Sequence, residues 1–143
     1  VCDRTNHIND LVVKDFWTTY NNFAFIDNRM LDLLNKLKAK GYKIYLLSNI
    51  NPYTYALIKE NSNLFTIVDG YVLSYEVHMV KPYIGIYKEL FKKYSLIPKE
   101  TLFIDDNASN IKTALSLKIK GVRVKPDNYD DLVNKLKNNK IKF

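Results

Sequence analysis

The chain has 143 residues, 47% apolar and 26% charged; this suits one soluble domain with its own core, and no apolar run approaches the roughly 18–20 residues of a membrane span. Its net charge of +7 comes mostly from scattered lysines rather than Arg clusters interleaved with aromatics, which argues for a solvated surface and against a nucleic-acid partner. The one cysteine, Cys2, excludes an internal disulfide or a multi-thiolate metal centre and fits a reducing, cytoplasmic compartment.

The opening Val1-Cys2-Asp3-Arg4 has neither an initiator Met nor a signal pattern and reads as the interior of a longer protein. A helix is expected from about Asn9 to Tyr20, on an irregular apolar pattern. Asp27-Asn28 can cap a second helix that presents Leu31, Leu34 and Leu37 before Gly41 ends it. Lys43 to Leu47 is nearly all apolar, as expected of a strand covered on both faces. Asn51-Pro52 reads as cap and first turn of a helix carrying Tyr53, Ala56 and Leu57 inward. Leu64 to Val68 fits either a helical turn or a strand, and Gly70 to Ser74 is a better strand. After Pro82, Ile84, Tyr87, Leu90, Phe91 and Tyr94 recur at helical spacing. Thr101 to Ile104 is a buried strand, followed by an Asn107-capped helix with Ile111, Ala114 and Leu115 inward. Gly121 to Val124 is a strand, and Pro126-Asp127 introduces a last helix with Tyr129, Leu132, Val133 and Leu136 on its apolar face. Such alternation predicts an α/β fold with parallel strands covered on both sides.

In open α/β sheets, ligands sit beyond the carboxyl ends of the strands. Ser48-Asn49 and Asp105-Asp106 occupy that place in their own elements. A Ser hydroxyl followed by backbone amides suits an anion, although Ser48-Asn49 alone also reads as a polar strand end with Asn51 as the cap. Adjacent carboxylates repel, and capping needs one acceptor, so Asp105-Asp106 suits Mg²⁺ completed by water and phosphate, although the pair alone also reads as one capping and one solvated carboxylate. If both face one pocket, their repulsion is expected to raise the apparent pKa of the pair. Lys81, before Pro82, is an ordinary surface lysine unless it reaches that edge, where it would neutralise a phosphate oxygen and a carboxylate.

In that order and local context, Ser48, Lys81 and Asp105-Asp106 resemble the second, third and fourth motifs of the haloacid dehalogenase-like (HAD) superfamily. The likeness runs from about Asn28 to the C-terminus. It is strongest to the subfamily of haloacid dehalogenases and small phosphatases with an inserted helical cap, through Gly41-Tyr42-Lys43 to Ser48-Asn49, Lys81-Pro82 to Ile86-Tyr87, and Thr101 to Asp106 with Asn110. The resemblance implies a three-layer Rossmann-like core and a Mg²⁺-dependent phosphatase acting on a small phosphorylated metabolite. Ser48 and the Asn49 amide would bind phosphoryl oxygens. Lys81 would hold phosphate and nucleophile together, Asp105 and Asp106 would hold Mg²⁺, and Asn110 would shape the acidic loop. Tyr83 stands where an acidic residue is usual.

The family's first motif, a strand ending in an Asp nucleophile with a second Asp two residues on, is expected to be missing. Asp27 follows a strand-like run, but Arg29 stands two residues later and Ser48 follows too closely; helix capping is its expected role. Asp3 has too little chain ahead of it, and Thr5 stands two residues later. The expected core is therefore incomplete, lacking its central strand, with residues 1–24 the tail of a helical cap and residues 25–143 the core. Such a chain would be inactive alone. The alternatives are a non-catalytic phosphate- or metal-binding scaffold module, or a dehalogenase, whose chemistry does not need the metal that Asp105-Asp106 suggests. A receiver domain is disfavoured because its acidic pair comes first in the chain.

Overall fold

The apolar runs assemble into one parallel sheet. In the computed structural model, which describes residues 7–13, 17–20 and 23–143, β1 (Asp10–Val13) is followed by a hairpin of β2 (Trp17–Tyr20) and β3 (Phe23–Ile26). Then come α1 (Asn28–Ala39), β4 (Lys43–Ser48), α2 (Pro52–Asn61), the short α3 (Leu64–Ile67) and β5 (Gly70–Leu73). The chain continues through α4 (Ser74–Val77), α5 (Ile84–Tyr94), β6 (Thr101–Asp105), α6 (Ala108–Ser116), β7 (Lys120–Arg123) and α7 (Tyr129–Asn138). The sheet runs in the order β5-β4-β1-β6-β7, and each neighbouring pair is parallel.

Two expectations fail at the start of the chain. No helix spans Asn9–Tyr20, and the middle of the sheet is not empty. Instead β1 lies between β4 and β6, with Val13 opposite both Leu46 and Ile104. The physical reason is in its side chains and in its neighbours' backbones. Leu11, Val12 and Val13 are 0–2% exposed, and β-branched residues fit a pleated surface buried on both faces. Without β1, β4 and β6 would each present a row of unpaired peptide groups in the molecule's interior. Four residues are too few for period 2 to stand out against a weak helical pattern. Asp3 lies outside the described residues.

The alternation of side chains sorts the core into two layers. Leu11, Val13, Ile44 and Leu46 face the side covered by α1 and α7, through Leu33, Leu34, Leu37, Leu132 and Leu136. Val12, Tyr45, Leu47 and Phe103 face the other side, against Ile86, Tyr87 and Leu90 of α5 and Ile111 and Ala114 of α6. The sheet is therefore sandwiched, as nearly continuous apolar strands require.

Helix ends follow the sequence closely. Asp27 caps α1, accepting from Arg29 N at 2.9 Å, and Gly41 beyond its end has φ +96, a left-handed conformation that glycine adopts without a Cβ clash. Asn51, Asn107 and Asn128 each accept a main-chain N–H from the first turns of α2, α6 and α7. Four expected core residues turn out to be exposed: Tyr53, Ala56, Leu115 and, partly, Ile84. Their helices bury neighbouring residues instead, Leu57 and Ile58 in α2, Ile111 and Ala114 in α6, and Ile86 and Tyr87 in α5.

Candidate functional site

Ser48 and Asp105 end strands β4 and β6 on either side of β1, so both stand at the carboxyl edge of the sheet. Two strand spacings of about 4.8 Å separate their strands, with β1 between them. Ser48 is 0% exposed, and its Oγ has no hydrogen-bond partner among the described residues. A buried hydroxyl left unpaired costs about 1–3 kcal/mol, so an orphan at this edge marks a place for an acceptor or donor from a ligand.

Beyond Ser48 the chain is pinned to a distant segment. Lys81 N donates to Asn49 Oδ1 at 2.8 Å, and Asn49 Nδ2 donates to Lys81 O at 3.1 Å. Ser74 Oγ accepts from Ile50 N at 2.8 Å and donates to Ile50 O at 3.0 Å. Thr113 Oγ1, on α6, donates to Pro82 O at 2.8 Å. These bonds turn Lys81 inward: it is only 7% exposed, and its Nζ donates to Asp105 Oδ2 at 2.9 Å.

Asp105 is the centre of a satisfied network. Its Oδ2 also accepts from Asn110 Nδ2 at 3.1 Å, and its Oδ1 accepts from Asn107 N at 2.9 Å. Asn110 is itself fixed, since its carbonyl accepts the buried Tyr87 hydroxyl at 2.8 Å. Burial alone would raise the Asp105 pKa, but the Lys81 ammonium and the Asn107 and Asn110 donors outweigh it and hold the carboxyl below the ordinary aspartate value. The expectation that mutual repulsion raises the acidic pair is thus corrected for Asp105. The dominant neighbour is a buried cation 2.9 Å away.

Asp106 has a different setting. It is half-buried, and its carbonyl accepts from Arg123 Nε of β7 at 2.9 Å. Among the described residues, no three carboxylate, imidazole or thiol groups converge. A Mg²⁺ ion would accordingly rest on Asp106 and the one lone pair of Asp105 Oδ1 that its hydrogen bonds leave, with water and phosphate completing its shell. That ligand set fits the ion, which usually takes one or two carboxylates.

Ser48, Asn49, Lys81, Asp105, Asp106 and Asn110 therefore stand at one edge of the sheet, the last three within a single loop-and-helix neighbourhood. Sequence reading assigned Asn49 only a main-chain role and missed its carboxamide's grip on Lys81, as well as the contributions of Thr113 and Tyr87. Helical spacing places Tyr87 in a core, but nothing local shows that its hydroxyl reaches Asn110. A cleft of about 440 Å³ opens beside the lysine segment, lined by Ser74, Tyr75, His78, Met79, Val80 and Tyr83.

Comparison with known proteins agrees with this fold. A family model described as haloacid dehalogenase-like hydrolase matches residues 12–117. The chain is 36% identical over 104 residues to a D-ribitol-5-phosphate phosphatase of Bacteroides thetaiotaomicron, covering 68% of this chain and 49% of that protein. It is 29% identical over 98 residues to a sesquiterpene phosphatase of Aspergillus oryzae, covering 68% and 50%. The chain thus spans about half the length of these curated relatives. Among solved structures, a HAD family enzyme from B. thetaiotaomicron in complex with magnesium and inorganic phosphate superimposes with a TM-score of 0.69 at 34% identity, over 75% of this chain and 57% of that one. An uncharacterized protein from Corynebacterium glutamicum shares the fold with a TM-score of 0.70 at 20% identity, over 95% and 98%.

Proposed function

The chain belongs to the haloacid dehalogenase-like hydrolases, and on that basis we propose that it is the phosphate- and metal-binding portion of a Mg²⁺-dependent phosphatase acting on a small phosphate monoester. The observation that carries this reading is the orphan Ser48 hydroxyl at the same sheet edge as the buried Lys81–Asp105 pair. Ser48 Oγ and the Asn49 N–H would donate to phosphoryl oxygens. Lys81 would neutralise the phosphate, drawing on an ammonium already held away from water. Asp105 and Asp106 would hold Mg²⁺, with Asn110 keeping Asp105 in place; the bound ion supplies charge neutralisation to the transferring phosphoryl group. The phosphatase relatives support the substrate class.

The sequence contains no Asp-x-Asp pair. We propose that a longer parent supplies this pair on a central strand of its own, with one Asp as nucleophile and the other as acid and base. In that parent, residues 1–24 would be the end of the cap, and the central place held here by β1 would pass to the nucleophile strand. For residues 1–143 alone, the lack of that pair favours a second reading, a module that binds phosphate without turning it over.

Both readings are tested together. Residues 1–143 are expected to give no Mg²⁺-dependent turnover of p-nitrophenyl phosphate. Calorimetry is expected to show inorganic phosphate binding in the presence of Mg²⁺, weakened about tenfold by Ser48→Ala or Lys81→Ala, the effect of losing one charge-assisted bond. Phosphate affinity indifferent to both substitutions would remove the site assignment. Turnover by this chain would place a nucleophile within it.

A further inference from the structure

Lys81 does not hold its position unaided. Its ammonium points inward to Asp105, yet it sits in a non-helical segment between α4 and α5, and lysine's long flexible side chain by itself favours water. The main chain of that segment is gripped by Asn49. One carboxamide meets both polar groups of a single residue, accepting from Lys81 N at 2.8 Å and donating to Lys81 O at 3.1 Å. This double contact fixes the amide's orientation, since the reverse would set donor against donor and acceptor against acceptor. Asn49 follows directly on Ser48, so the strand end that presents the orphan hydroxyl also dictates where Lys81 stands.

We propose that the Asn49 side chain is a positioning residue for Lys81, coupling the end of β4 to the Lys81–Asp105 pair. This is separate from any contact between the Asn49 main chain and a ligand, and it rests on the reading of Lys81 as a phosphate-binding cation. Thr113 adds a second, weaker tie through Pro82 O at 2.8 Å. Of the two, Asn49 makes the larger contribution, because it holds Lys81 itself, and at two atoms.

The test needs neither phosphate nor metal, so it can fail independently of the phosphatase reading. Folded protein is exposed briefly to an amine-acylating reagent, and modification of each lysine is quantified by peptide mass spectrometry. In the wild type, Lys81 is expected to react far more slowly than exposed lysines. Asn49→Ala should raise Lys81 labelling about fivefold relative to the exposed Lys92, the population factor of roughly one net hydrogen bond, and Thr113→Val should raise it less. Asn49→Asp, which keeps the acceptor and loses the donor, should fall between wild type and Asn49→Ala. Asn139→Ala removes a comparable amide bond at the end of α7, to Lys135 O at 2.7 Å, and should leave Lys81 labelling unchanged. Unaltered Lys81 labelling in Asn49→Ala overturns the proposal. So does an equal rise at all lysines in both Asn49 variants, which would make Asn49 a general structural residue rather than one that acts on Lys81.

Discussion

Lys81 and Asp105 are both withdrawn from water, at 7% and 1% exposure, so each charge depends on the other. Removing one partner of a buried pair typically costs about 3–5 kcal/mol, while replacing both with apolar groups is often close to neutral. Lys81→Met and Asp105→Leu are each expected to destabilise by about 3 kcal/mol, and the double variant by much less than their sum, as measured by urea unfolding in a double-mutant cycle. Additive losses would show that the pair is not coupled. At the opposite end of the sheet, burial raises the Asp10 pKa despite Lys43 opposite it, with Glu100 and Asp69 adding to the rise. A carboxyl whose folded pKa lies above its unfolded value contributes stability below the unfolded value and loses it as pH rises through the folded value. Asp10→Asn should therefore stabilise at pH 7, by up to about 1 kcal/mol for so partly exposed a group, and give no gain at pH 3. A gain that was equal at both pH values would separate the effect from ionisation. At this scale, sequence reading found the polar residues of the site by type and spacing. It missed the Asn49 carboxamide because the partner lies 32 residues away, a distance that no local pattern spans.

Edge strand β5 shows how an element can be protected by a residue from elsewhere. Its Tyr71 N donates to Tyr94 Oη at 2.9 Å, and Tyr94 Oη donates to Tyr71 O at 3.1 Å. The tyrosine of α5 thus occupies the place of a neighbouring strand, and blocks a row of peptide groups that could pair with another chain. Gly70 makes room for it, since a Cβ there would lie 2.3 Å from the Tyr94 ring. Tyr94→Phe is expected to lose about 1–2 kcal/mol and to aggregate sooner in light-scattering melts. Gly70→Ala should cost about 1–3 kcal/mol through displacement of the ring. A stable, non-aggregating Tyr94→Phe would show that the edge is protected by other means. The elements from β4 onward were legible because caps, prolines and long apolar periods agree there, as in Asn51-Pro52 before α2. Leu115 and Tyr53 were misplaced because each lies beside, not within, the stripe its helix buries, an angular difference that short helices leave unresolved.

The molecule as a whole depends on one short strand that sequence reading took for part of a helix. Family resemblance leaves the middle of the sheet empty, because it equates the missing motif with a missing strand. Asp10–Val13 carries no Asp-x-Asp pair, yet it satisfies the backbone of both neighbours and sends Leu11 and Val13 into one core layer and Val12 into the other. In residues 1–143 a strand in that position is not accessory. Leu11→Ala should cost about 2–5 kcal/mol, the range for a fully buried leucine, and match Leu46→Ala on the adjacent strand. Val12→Lys places a charge where exposure is 0% and should abolish cooperative unfolding, whereas Val133→Lys, on the half-buried flank of α7, should not. Amide exchange gives the complementary measurement. Protons of Leu11, Val12 and Val13 that bridge to β4 and β6 should exchange only with global unfolding, as slowly as those of Leu46 and Phe103. Rapid exchange in β1 with slow exchange in β4 and β6, together with a loss below about 1 kcal/mol for Leu11→Ala, would mean that the sheet holds together without its middle strand.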